Sequence, residues 1–483
     1  MLFRAQHLGP LHDVEIDLSK NLIVLAGPNN SGKTYLAWSV YGLHRFRPVH
    51  IEALVQCAKT LLESQEHTIN LTDVFQNAGQ EILASIATQY KSNLHLCFSS
   101  EKSQFATANI ELAGIPLLTG PKQQLHIRGF NNLSVDKSFS ALLSVGDDTS
   151  ARIDWTLLEG EGFSQFLTRT NEEGDFSSSL REFRDSTSER VSKLNSENKD
   201  EICRELNESL SKVVHSHLFP KCILFPAERI AVNIFAKELA LKRTKLVDEM
   251  VDADLDNHGE STIELVRRKA GRYPWPIRDS LRIANDLANL SRENGPFAEL
   301  ADELEKTILG GEVVVSKSGE VTFSPVGRKE KPLELHLSAS IVKSLSSLVF
   351  YFRFLARPND FIVIDEPELN LHPDNQRKVA RLLAKAVRLG FKVMISTHSD
   401  YILRELNHLL MLSRLPAEEA PGLGYDPNCS IAPVQLGVYL FIGGQVESIP
   451  VTDTGFSVKT IDDVVNQLNA DEQRLYARLE QQE

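Results

Sequence analysis

The sequence predicts an α/β protein whose mixed sheet carries an antiparallel β lobe and is interrupted by a helical insertion. Three observations lead there. The runs Leu22-Ile23-Val24-Leu25-Ala26, Cys222-Ile223-Leu224-Phe225, Phe361-Ile362-Val363-Ile364 and Phe391-Lys392-Val393-Met394-Ile395 have the length and apolar content of buried strands. Helical spacing from Asp374 to Leu389 joins the last two, and such a βαβ crossover implies a parallel pair. Between about Leu94 and Leu158, short β-like runs such as Leu94 to Phe98 and Ala151 to Trp155 alternate with polar turns, as in an antiparallel lobe.

In chain order, the first 26 residues alternate polar and apolar and end in the run Leu22 to Ala26. A Gly-Pro-Asn-Asn-Ser-Gly turn follows, then helical spacing from Lys33 through Leu43. Residues 50 to 92 read as mostly helical. Ser177 to Lys199 is rich in Ser, Glu, Arg and Asn, as in a loop or exposed helix, and leads into an amphipathic helix from Ile202 to Val214. Pro226-Ala227-Glu228-Arg229 closes the strand that starts at Cys222. Residues 232 to 309 read as helical, broken at Gly271 to Pro276, and lack the sustained heptads of a long coiled-coil arm. A hairpin is expected from Glu312 to Phe323 with its turn at Ser318-Gly319, then a helix from Ser340 to about Leu355, and a last sheet strand from Gln435 to Phe441. Three parts are therefore expected: 1–231 and 310–483 as two halves of one head, and 232–309 as a helical insertion between them.

The chain has 483 residues, 42% of them hydrophobic, enough for a sizeable core. Lys+Arg 52 against Asp+Glu 65 gives −13, which argues against a surface that coats nucleic acid throughout but leaves room for a local basic groove. No apolar run is long enough to span a bilayer, and Met1 to His7 lacks the pattern of a secretory signal. Cys57, Cys97, Cys203, Cys222 and Cys429 lie far apart without a CxxC pair, so they read as isolated reduced thiols. A cytoplasmic protein without a membrane partner is the expectation.

The turn Gly27-Pro28-Asn29-Asn30-Ser31-Gly32-Lys33-Thr34 matches G-x-x-x-x-G-K-[ST] in full. Its glycines let successive backbone N–H groups point at phosphate oxygens. Lys33 would reach the β- and γ-phosphates and Thr34 would offer a hydroxyl to Mg²⁺, beside the positive end of a helix. Asp365 and Glu366 directly follow the strand Phe361 to Ile364. There Asp365 can hold Mg²⁺ through water, and Glu366 can orient and deprotonate the attacking water. His398, at the end of the next strand, can contact the γ-phosphate. ATP and Mg²⁺ are the cofactors these residues imply.

Together the three pieces resemble the ABC-class ATPase head, in the branch that holds the SMC, RecF and overcoming-lysogenisation (OLD) ATPases. Asp365-Glu366-Pro367-Glu368-Leu369-Asn370-Leu371-His372-Pro373 is similar to that branch's extended Walker B and D-loop, and Ser396-Thr397-His398-Ser399 to its switch-histidine loop. The resemblance implies an ABC-type P-loop head in which two copies sandwich two nucleotides, hence a homodimer, with a higher oligomer left open. Leu337 to Leu345 occupies the place of the signature helix, where Ser338 and Ser340 would meet the partner head's γ-phosphate, although Ala339 and Ser340 stand where glycines are usual. Slow or partner-dependent turnover is one consequence of that departure; a plain Ser N-cap is the alternative. Pro226-Ala227-Glu228-Arg229 is similar to a turn of OLD-like heads, with Arg229 at the nucleotide, at the dimer seam or in a structural ion pair. Gln56 and Gln76 are equal candidates for the Q-loop glutamine.

OLD nucleases add a Toprim domain with an Asp-x-Asp, and none occurs after Asp400 in the last 483 − 400 = 83 residues. The expectation is an ATP-driven switch that controls a separate effector, a nuclease by preference, as in the ATPase subunits of bacterial anti-phage systems such as Septu, PARIS and retron-associated modules. The competing expectation is a RecF-like DNA-repair ATPase that clamps duplex DNA, distinguishable by the salt dependence of DNA binding. Asp252-Ala253-Asp254-Leu255-Asp256 imitates a metal loop but lacks the EF-hand Gly and Glu, and reads as a solvated acidic turn. Arg267-Arg268-Lys269 and Arg272 with Tyr273 and Trp275 is the best basic-aromatic cluster, either a contact to DNA phosphates or an acidic partner, or a solvated helix end.

Overall fold

A computed structural model describes the chain except residues 64–67, 115–122, 132–136, 146–149, 160–195, 237, 240–272, 291–292, 317–318, 328–331 and 481–483. The chain forms two compact units: residues 44–92 with 110–220, and residues 2–43 with 93–109 and 221–483.

The larger unit carries the main sheet. Eight of its nine strands are β1 (Leu2–Leu8), β2 (Leu11–Asp17), β3 (Leu22–Ala26), β4 (Cys222–Phe225), β5 (Phe361–Asp365), β6 (Lys392–Thr397), β7 (Leu436–Ile442) and β8 (Gln445–Ile449), in the spatial order β1-β2-β8-β7-β3-β6-β5-β4. From β7 to β4 all neighbours are parallel, whereas β1 with β2 and β7 with β8 are antiparallel hairpins. The sheet is therefore mixed, as the sequence leads one to expect. Strands buried on both faces are apolar along their length, as β3 is at all five positions and β5 at its first four, its fifth being the buried Asp365. Each such Leu, Ile or Phe contributes about 1.5–3 kcal/mol of apolar burial.

Four helices of this unit matter for the site: α1 (Lys33–Arg45), α2 (Ser340–Phe350), α3 (Pro373–Arg388) and α4 (Asp400–Leu412). α3 shows how the local sequence dictates structure. His372 caps it by accepting from the Asp374 amide, and Pro373 occupies the first turn, where no N–H is needed. Val379, Leu382, Leu383, Ala386 and Val387 bury one face. It stops at Gly390 (φ +94°), with Gly390 N–H donating to Val387 O and Phe391 N–H to Ala386 O, a Schellman closure. α4 is capped by the Ser399 hydroxyl, which accepts from Ile402 N–H. The helical stretch Ala298–Leu304 and the π-helical turn Glu305–Leu309 pack Leu300, Leu304 and Ile308 into the same core as β5 and β6. The expected hairpin forms from Gly311–Val315 and Val321–Pro325.

In the smaller unit the strands Thr68–Asn70, Ser150–Glu159, Lys137–Val145 and Gln123–Asn131 make an antiparallel sheet. The helix Ser196–Leu218 contains the expected amphipathic stretch and buries Leu206, Leu210, Val213 and Val214. Leu94 to Phe98 is not a strand. It is the last part of the helix Leu71–Phe98, with Leu94 and Cys97 buried and Leu96 exposed, a spacing of three instead of two. The acidic run at 252–256 and Arg267, Arg268, Lys269 and Arg272 lie outside the described residues, while Trp275 is buried and so offers no stacking face. Among the described residues, no helix is long and apolar enough to cross a membrane, and no disulfide joins any two of the five cysteines.

Candidate functional site

The strand register assembles the site. β3 pairs with β6 so that Ala26 lies opposite Thr397, and β6 pairs with β5 so that Ser396 lies opposite Asp365. The turn after β3, the acidic pair ending β5 and the loop after β6 therefore emerge side by side at the carboxyl ends of three adjacent parallel strands. Crevices for ligands form there in open α/β sheets.

The turn from Gly27 to Lys33 needs its glycines. Gly27 has φ +145° and a Cβ there would lie 2.6 Å from Phe441 O; Gly32 has φ +97° and its Cβ would lie 2.5 Å from Leu11 Cδ2. Asn29 and Asn30 are exposed, Asn30 in the left-handed region at φ +61°, and Ser31 is buried. α1 starts at Lys33, so its free N–H groups face the turn. The Lys33 ammonium donates to Gly27 O (2.8 Å) and Pro28 O (2.7 Å). Burial lowers its pKa, against the opposing pull of Glu366, Asp365 and Glu368.

The Thr34 hydroxyl donates to Asp365 Oδ2 at 2.9 Å. The Ser396 hydroxyl donates to Asp365 Oδ1, so both carboxylate oxygens are engaged. Asp365 is 2% exposed, and burial raises its pKa despite these two hydrogen bonds. A hard cation would relieve that penalty. A hydroxyl and a carboxylate are the oxygen donors that Mg²⁺ takes, so Thr34 and Asp365 fit the ion expected of them.

Glu366 has φ +50°, a conformation that costs about 1–3 kcal/mol in a residue with a side chain. It is held from both sides: its N–H donates to Ser396 O and Oγ, and its carbonyl accepts from Arg229 Nη2 at 2.8 Å and from Leu369 N–H. Its carboxylate keeps 28% exposure and lies 3.8 Å from His398 Nδ1. His398, at 42% exposure, also lies 3.3 Å from Glu368 Oε1. The structure thus brings Lys33, Thr34, Asp365, Glu366 and His398 to one edge of the sheet.

Ser338 and Ser340 differ from each other. Ser338 is buried and its hydroxyl donates to Glu334 O, whereas Ser340 is exposed in the first turn of α2. The N-cap of α2 is Ala339, and no side chain caps it, so the plain Ser cap is not formed.

Arg229 is not at an open surface, and among the described residues it forms no ion pair. It is 3% exposed and donates to Ser344 O and Oγ on α2 and to the carbonyls of Pro226, Asp365 and Glu366. Burial brings its pKa down to about 10. One guanidinium thus ties α2 to the acidic end of β5. Ser396, Thr397 and Glu368 contribute to the site as well, without a sequence signal of their own. They stand inside recognisable motifs, but the partners each touches follow from strand register, which a motif does not encode.

A strand, a turn of strained glycines around a buried lysine, a helix N-terminus and a carboxylate on the neighbouring strand define the P-loop class of nucleotide-binding protein. The sequence profile of the AAA ATPase domain family matches residues 8–403, and the chain belongs to that family. No curated protein matches it significantly. Among solved structures it is similar to the Smc head domain with an extended coiled coil bound to the C-terminal domain of ScpA from Pyrococcus furiosus, at 12% identity over 97% of this chain and 98% of that one with a TM-score of 0.31. It is also similar to the SMC head domain from Thermotoga maritima, at 11% identity over 93% and 98% with a TM-score of 0.27.

Proposed function

We propose that this ATPase is a homodimeric switch of the OLD/SMC-like kind that controls a separate effector, a nuclease, in bacterial anti-phage defence. The observation that carries the catalytic part is the contact of the Thr34 hydroxyl with Asp365, next to Glu366 and His398, at the ends of β3, β5 and β6.

In this reading the backbone N–H groups of the turn and Lys33 bind the phosphates, with Asn29, Asn30 and Ser31 lining the turn. Thr34 and Asp365 would hold Mg²⁺, which when bound would supply positive charge beside the transferred phosphoryl group. Glu366 accepts the proton of the attacking water, and its strained backbone aims the carboxylate outward from the strand. His398 contacts the γ-phosphate. Ser340, standing open at the start of α2, meets the nucleotide on the second head, and Ser338 supports that turn from beneath. Because Arg229 bonds both α2 and the carbonyl of Glu366, docking of a second head against α2 is relayed to the catalytic base. The division 1–231, 232–309 and 310–483 belongs to the same proposal, with the part of 232–309 that precedes Ala298 as the effector's docking segment.

Two measurements test it. Light scattering of Glu366→Gln should give a monomer alone and a dimer with ATP and Mg²⁺; a monomer in both conditions contradicts the sandwich. Purification with the products of adjacent genes should recover an effector whose retention depends on nucleotide, and retention indifferent to ATP contradicts the switch.

A further inference from the structure

Glu368 lies three residues past Asp365 and is not assigned any role by the chemistry above. It is 7% exposed. One of its oxygens, Oε1, accepts from the Thr397 hydroxyl at 2.8 Å and from the His398 backbone N–H at 2.8 Å, and lies 3.3 Å from His398 Nδ1. The other, Oε2, is buried with no hydrogen-bond partner among the described residues. A buried carboxylate oxygen left unbonded is costly, and a fold needing only stability would place an apolar residue or a second donor there. The carboxylate is thus kept for what Oε1 does.

We propose that Glu368 is the positioning residue for His398 and, through it, keeps the catalytic base free. This rests on the assignment of Glu366 as base and His398 as the γ-phosphate contact. The geometry is a competition. His398 Nδ1 lies between two carboxylates, 3.3 Å from Glu368 and 3.8 Å from Glu366. Glu368 is fixed by the Thr397 hydroxyl and by the backbone of His398 itself, so it sets both the ring's orientation and its tautomer. With its proton on Nδ1, the ring nitrogen beside Glu368, His398 leaves Nε2 free for a ligand. Without that acceptor the ring turns to Glu366, the nearest remaining carboxylate, and occupies the base that should hold the water.

The acceptor at Oε1 matters here, not the charge. Glu368→Gln keeps a carbonyl oxygen in its place and should retain kcat for ATP within about 3-fold. Glu368→Leu has no acceptor and should lose kcat about 10- to 100-fold with ATP affinity unchanged, the range expected when an orienting group is removed. Thr397→Val removes one anchor of Oε1 without altering Glu368, and should give a smaller loss, so the test survives if Glu368→Leu folds poorly. All three should depend on the ring: in a His398→Ala background each should change kcat by less than about 2-fold. Equal losses with and without the ring, or a Glu368→Leu enzyme with full kcat, overturn the proposal. Lys33→Ala serves as the reference, because it should abolish ATP binding. If it does not, the assignment of the site fails; if it does while Glu368→Leu remains fully active, the role of Glu368 alone fails.

Discussion

Glu405 has no exposed side-chain surface, yet it sits between Arg377 Nε at 2.6 Å and Arg381 Nε at 2.5 Å, both reaching across from α3 to α4. Burial alone would raise its pKa, but the hydrogen bonds from the two arginines outweigh burial and hold it below its ordinary value of 4.5. The folded value is the lower one, so the stability this group contributes is present above about pH 4.5 and is lost as the pH falls through the folded value. Glu405→Gln should therefore cost about 3 kcal/mol at pH 7, the lower end for breaking a buried pair because both arginines also reach solvent. Thermal melts should show this gap closing as the pH drops below about 4. A gap of equal size at both pH values would mean that packing, not charge, holds the two helices together here. The residues of the catalytic edge divide in the same physical way. Lys33, Thr34, Asp365, Glu366 and His398 are legible because each follows a strand in a motif whose chemistry is local. Arg229, Ser396 and Glu368 act through partners more than 20 residues away in sequence, and only the fold supplies those.

Elements were legible where burial is two-sided or periodicity is long. Leu22–Ala26, Cys222–Phe225 and Phe361–Asp365 are apolar at nearly every position and form strands as expected. The 16 residues of α3 display the helical period over four turns. Leu94 to Phe98 failed because five residues reading apolar, polar, apolar satisfy a strand and a helix end equally well, and the preceding 23 residues of the helix decide the matter. The end of α3 makes a prediction of its own. A Cβ on Gly390 would meet only Asn359 Oδ1 at 3.9 Å, so space is available and only the left-handed backbone at φ +94° resists a side chain. Gly390→Ala should lower stability by about 1 kcal/mol, read from denaturant midpoints, with ATP turnover unaffected. No loss would mean that the Schellman closure does not depend on glycine.

For the molecule as a whole, the sequence anticipates the α/β class, the mixed sheet and the antiparallel lobe, because each rests on patterns summed over many residues. The stretch 298–309, expected within a separate insertion, instead contributes Leu300, Ala301, Leu304 and Ile308 to the core beneath the sheet. Its apolar spacing is the same whether a helix packs on a neighbour in an insertion or on the head, so pattern alone could not assign it. Three carboxylates, Asp365, Glu366 and Glu368, follow closely on one another at the end of β5, where a nucleotide's cation would meet them. The most direct test of that chemistry compares ATP hydrolysis and ATP binding in Glu366→Gln with those of the unaltered protein. Removing the base should lower kcat by about 10²- to 10⁴-fold while nucleotide affinity stays within about 3-fold, as expected of a group that acts only in the transition state. Hydrolysis at an unchanged rate would contradict the assignment of Glu366 and, with it, the catalytic edge built from β3, β5 and β6.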